Sequence, residues 1–307
     1  MSATANRAVA PLGSVSFEYF DALYRELTGH DGAFRWQYRL FCDFAAGYFP
    51  TDIELPTGIG KTSIIVVWLM ALAHALKRGA RHVPRRLVYV VDRRVVVDQA
   101  SEFAEEICNR LEEAVRDDKH ALHSLAKALQ GAGYTPSVVE LSTLRGQRAL
   151  DTSWRDDPTR PAIIVGTVDM IGSRLLFSAY GRLGPWGRAL EAGLLGQDCL
   201  VVVDEAHLSS PFAATLVALE AHNRRSQQLA PFVVVRMGAT MEPVEDLLKR
   251  TPGLVDEPRA RRVFRLLEAD TNIDGRTWPR EIDEKNVGAR LTARKRIEVE
   301  SLDAERG

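Results

Sequence analysis

Leu55-Pro56-Thr57-Gly58-Ile59-Gly60-Lys61-Thr62 follows a short strand signal over Asp52 to Leu55 and opens a strongly apolar stretch, Ser63 to Leu76. A strand, a glycine-rich turn and a helix in that order form a cradle for phosphate. Small residues let successive backbone N–H groups turn inward around phosphate oxygens, and Gly58 and Gly60 supply that freedom. The helix beginning near Lys61 aims the positive end of its dipole at the same place. In this pattern Thr57, Gly58, Ile59 and Gly60 line the cradle, Lys61 reaches the β and γ phosphates, and the Thr62 hydroxyl binds magnesium. Leu55 stands where the strict pattern has glycine.

About 140 residues on comes Val201-Val202-Val203-Asp204-Glu205-Ala206-His207. A carboxylate just past a run of valines is costly to bury without a partner, and a hydrated magnesium ion is a natural one for Asp204. Glu205 is then placed to orient and deprotonate the water that attacks a triphosphate. His207 is placed either to relay between the nucleotide edge and Thr240 or simply to start the helix that follows, and both readings stay open. The two stretches together predict ATP and Mg2+ as ligands, with Lys61, Asp204 and Glu205 as the catalytic set.

Between these stretches strand and helix signals alternate. Short β-branched runs at Asp52 to Leu55, Leu87 to Val91, Val138 to Leu141, Ala162 to Val165, Leu200 to Val203 and Phe232 to Arg236 read as buried strands. Longer helical stretches, notably Thr62 to Arg78 and Val97 to Val115, separate them, with Gly79 as a cap. This alternation predicts an α/β fold, a mostly parallel sheet covered on both faces. In such sheets ligands bind beyond the carboxyl ends of the strands. The phosphate loop, Asp92-Arg93-Arg94, Gly166-Thr167, Asp204-Glu205 and Gly238-Ala239-Thr240 all fall there. Arg93, Arg94, Arg145, Gly166 and Thr167 are the candidates for a nucleic-acid track, since arginines, hydroxyls and N–H groups at strand ends suit backbone phosphates.

Composition limits the alternatives. The chain has 307 residues, 46% of them hydrophobic, enough for a large core. With 40 basic and 41 acidic residues, nucleic-acid binding has to rest on a local basic strip rather than on net charge. Cys42, Cys108 and Cys199 show no CxxC spacing and read as reduced thiols of a cytoplasmic protein. Met1 to Gly13 lacks a signal-peptide pattern, and Ser63 to Leu76 is too short to cross a bilayer. His30-Asp31 spells an HD dyad, but no histidine precedes it to complete a metal site; it reads as a turn after the helix Phe17 to Leu27.

Leu55 to Thr62, Val201 to His207 and Gly238-Ala239-Thr240 resemble motifs I, II and III of superfamily 2 DEAH-type helicases, in the right order. Phe34-Arg35-Trp36-Gln37, Leu87 to Gln99, Ile164 to Asp169 and Ala206 to Phe212 look most like the CRISPR-associated helicase–nuclease of type I interference systems. The resemblance implies a RecA-like P-loop NTPase lobe over residues 36–250, a helical extension over 1–35 and a charged connector over 251–307. It implies that Gln37 reads adenine and that Gly238, Ala239 and Thr240 couple hydrolysis to movement. It further implies movement along single-stranded DNA, recruitment by an RNA-guided surveillance complex, and a second RecA-like lobe and HD nuclease from further sequence or another chain. Two other readings stay open: a non-cycling ATP- and nucleic-acid-binding module, and the helicase lobe of a restriction-type translocase.

Overall fold

The computed structural model describes residues 15–144, 153–179, 184–226, 230–239, 241–243, 246, 259–267 and 270. Seven strands form one sheet in the order β3-β4-β2-β5-β6-β1-β7. They are β1 (Asp52–Glu54), β2 (Arg86–Val91), β3 (Glu140–Leu144), β4 (Ala162–Thr167), β5 (Cys199–Val203), β6 (Phe232–Gly238) and β7 (Val263–Arg265). Every pairing is parallel. The helices are α1 (Phe17–Thr28), α2 (Arg35–Ala45), α3 (Ile64–Lys77), α4 (Arg94–Arg116), α5 (His123–Gln130), α6 (Val168–Leu175), α7 (Pro185–Leu195) and α8 (Ser210–Arg225).

The central strands are buried at nearly every position and mostly aliphatic, because both faces are covered. Leu87, Tyr89 and Val91 of β2 join the core under α1 to α5, whereas Val88 and Val90 join the core on the opposite face with Val201 and Val203 of β5. The apolar helix α3 is buried along nearly its whole length, against α2 on one side and α5 on the other. Gly79, at φ 68°, closes it in the left-handed region that favours glycine.

Two expectations need correction. The third strand runs over Glu140–Leu144, not Val138 to Leu141. Val138 and Val139 are buried below it, and the Val138 N–H donates to Glu112 at 2.6 Å, so their apolar character reflects core packing outside the ladder. Residues 251–307 are also not connector throughout, since Val263–Arg265 add β7 alongside β1. That strand is too short to show alternation and is held by charge. Arg261 meets Asp52 at 3.2 Å, Arg262 meets Asp43 at 2.9 Å and Arg265 meets Glu54 at 2.6 Å. Arg259 reaches Glu220 at 3.1 Å.

Asp52 and Arg236 pair across β1 and β6, both essentially without solvent exposure. Removing one member of a buried pair strands the other charge. Asp52→Ala is expected to destabilise the fold by roughly 3–5 kcal/mol, read as a lower urea midpoint at unchanged slope.

Candidate active site

Parallel pairing delivers five polar segments to one edge of the sheet. β1 ends at Glu54, and the Leu55 N–H continues the ladder by donating to the Gly238 carbonyl at 3.0 Å. This explains why leucine replaces glycine there: Leu55 is still strand-like and wholly buried. The chain then turns through Gly58 (φ 85°) and Gly60 (φ 76°), both left-handed. Thr57, Gly58 and Gly60 are exposed at the crest, while the Ile59 side chain is buried and anchors the loop from below. Of the predicted cradle, Ile59 therefore has only its backbone to offer a ligand. Lys61–Ser63 form a single 3-10 turn that runs into α3.

β5 delivers the acidic pair from across the sheet. Lys61 Nζ lies 2.5 Å from Glu205 Oε1, joining the phosphate loop to the DEAH strand end. Glu205 has φ 45°, unusual for a residue with a side chain and of the kind that concentrates at functional sites. Asp204 accepts from the Tyr89 hydroxyl at 2.8 Å and from the Glu205 N–H at 3.0 Å. Burial pushes the Asp204 carboxyl above its ordinary value, opposed by the Tyr89 hydrogen bond and by the Lys61 charge. His207 Nδ1 lies 3.5 Å from Glu205 Oε2. A Cβ placed on Gly238 would stand 3.4 Å from Glu205 Oε2 and 3.7 Å from His207 Nδ1, so the motif III strand end touches both DEAH side chains.

The donor set suits a hard divalent cation. Thr62 and Asp204 present a hydroxyl and a carboxylate, the carboxylate held by the Tyr89 phenol, and oxygen ligands of that kind hold magnesium. Lys61 and the loop amides suit the triphosphate.

Other predicted residues divide. Gln37 is buried, and its amide is engaged within the protein. Oε1 accepts from the Phe34 N–H at 2.7 Å; Nε2 donates to Ser63 Oγ at 2.7 Å and to Tyr24 Oη at 3.2 Å. Ser63 Oγ in turn donates to the Gly60 carbonyl at 2.7 Å. In this geometry Gln37 straps α1 and α2 to the phosphate loop, with both amide hydrogens turned to protein partners. Arg93 and Arg94 are exposed at the start of α4. Thr167 precedes α6 at the same sheet edge. Gly166 is a packing position: a Cβ there would stand 3.1 Å from Ile171 and 3.3 Å from Leu144. Ala239 is exposed beside Gly238; Arg145 and Thr240 lie outside the described residues. Among the described residues no three His, Cys, Asp or Glu side chains cluster as a metal site. His30 instead stacks on Phe103 at 6.2 Å between ring centroids.

Sequence reasoning missed Tyr24, Ser63 and Tyr89. The one available signal was Tyr89 itself, the single hydroxyl in a strand that is aliphatic beyond Arg86.

The family model described as type III restriction enzyme, res subunit, matches residues 44–243. The chain belongs to this family. The matched span runs from the end of α2 to just past β6 and contains Lys61, Thr62, Asp204, Glu205 and Gly238; Gln37 precedes it. Among solved structures, the DEAD-box helicase Mss116 bound to ssRNA and UDP-BeF aligns with a TM-score of 0.50 at 12% identity, over 83% of this chain and 46% of that one. A DEAD box protein from the hyperthermophile Methanococcus jannaschii aligns with a TM-score of 0.40 at 11% identity, over 82% of this chain and 54% of that one. The chain thus spans about half the length of these structures. No curated protein matches it. Sheet and family together make this a RecA-like lobe of helicase type. No described helix is long and apolar enough to cross a membrane.

Gln37→Leu removes the acceptor of the Phe34 N–H and the amide that donates to Ser63 and Tyr24. It is expected to cost about 1–3 kcal/mol in a denaturant melt and to weaken ATP and GTP uptake equally. A selective loss of ATP would instead reveal the adenine contact that the helicase resemblance implies.

Proposed function

We propose that this chain is the ATP-binding first lobe of a nucleic-acid translocase that moves on single-stranded DNA. The observation that carries the reading is the Lys61–Glu205 contact at 2.5 Å, which joins the phosphate loop and the acidic strand end at one point. A triphosphate seated on the loop amides presents its terminal oxygens to the Lys61 ammonium, which then exchanges a carboxylate partner for a phosphate one. Glu205, released from the lysine, is free to orient a water and take its proton. Thr62 and Asp204 would hold magnesium, which would supply positive charge against the triphosphate.

His207 and Gly238 both adjoin Glu205. They suit a coupling role, because a shift of the glutamate is felt directly at the end of β6. Arg93, Arg94 and Thr167, at the neighbouring ends of β2 and β4, suit contact with the DNA backbone. A second RecA-like lobe, from further sequence or another chain, would complete the nucleotide site. The finer placement in a type I CRISPR interference system, with its RNA-guided surveillance complex and HD nuclease, is supported by the resemblance around Phe34 to Gln37, Leu87 to Gln99 and Ile164 to Asp169. The family match favours a second reading, the motor lobe of a restriction-type translocase.

Lys61→Ala is expected to abolish Mg-ATP uptake in an equilibrium titration. Glu205→Gln is expected to retain uptake while DNA-stimulated turnover, measured with a second lobe supplied, falls by about 10²-fold or more. Full turnover in Glu205→Gln would remove the assignment of the base. Stimulation by bare single-stranded DNA, without any guide complex, favours an autonomous translocase over the CRISPR placement.

A further inference from the structure

Tyr89 lies in the middle of β2, with no measurable solvent exposure, between Val88 and Val90. Aliphatic side chains fill the rest of that strand above Arg86. A phenol placed there buries a polar atom that has to find partners. Strand alternation turns Tyr89 to the face covered by α3, the helix that leaves the phosphate loop. Its hydroxyl donates to Asp204 Oδ2 at 2.8 Å. The carboxylate held by this buried phenol is one of the two protein ligands assigned to the cation.

We infer that Tyr89 is a positioning residue for the magnesium site, an inference that rests on the nucleotide-site reading above. The same phenol fixes the rotation of the Asp204 carboxylate, whose other oxygen is held by the Glu205 N–H at 3.0 Å. Outer partners of this kind set ligand orientation, and their loss typically costs 10–100-fold in metal affinity or activity.

Tyr89→Phe keeps the ring in the core and removes one oxygen. A fluorescent ATP analogue titrated at increasing Mg2+ is expected to need about 10-fold more Mg2+ for half-maximal tightening than in the unaltered chain. Affinity in EDTA is expected to stay unchanged, and so is the thermal midpoint to within a few degrees. In an Asp204→Ala background the same exchange is expected to add little, because the two groups act on one site. An unchanged Mg2+ requirement overturns the inference and leaves the nucleotide-site reading standing. Equal weakening with and without Mg2+, together with an early melt, assigns Tyr89 to packing and also overturns it. Nucleotide uptake by the unaltered chain that ignores Mg2+ altogether removes the metal-site reading, and the inference with it.

Discussion

Parallel pairing is the constraint from which the site follows. β1 ends in the phosphate loop and β5 ends in Asp204, and they are separated in the sheet only by β6. Because all three run the same way, the loop, the acidic pair and Gly238 have to emerge at one edge. There Lys61 meets Glu205, and Gly238 lies against both Glu205 and His207. An antiparallel partner at any of these positions would send one motif to the far edge of the sheet. The chemistry assigned to this lobe is thus a property of strand direction before it is a property of any side chain.

The site is held from two further directions. From above, α1 and α2 reach the loop through Tyr24, Gln37 and Ser63, a run of hydrogen bonds ending on the Gly60 carbonyl. From the sheet, Tyr89 reaches up to Asp204. The helices α1 and α2 are thus tied to the glycine-rich loop, although the family match begins only at residue 44.

Buried charge organises the far side of β1. Asp52 faces Arg236 of β6 and Arg261, and Glu54 takes Arg261 and Arg265. These contacts attach β7 to the strand that carries the phosphate loop. Isolated surface pairs add little to stability, but a charged residue without solvent exposure depends on its partner. The arginine-rich stretch Arg259 to Arg265, which reads as linker, is by this means part of the sheet.

Local pattern was enough for the α/β class and the positions of most strands, because these depend on short-range signals: unbroken aliphatic runs bounded by turns and helices. What the sequence could not supply was partnership. Whether Gln37 turns its amide to a ligand or to Ser63, whether Gly166 makes room for a ligand or for Leu144, and whether Arg261 faces solvent or Asp52 are settled by residues tens to hundreds of positions away. Tyr89 is the clearest case: in the strand it is one aromatic in a mostly aliphatic run, and only the fold brings Asp204 to its hydroxyl. Periodicity and turn chemistry act over a few residues, whereas hydrogen bonds and ion pairs are chosen by which elements the tertiary structure packs side by side.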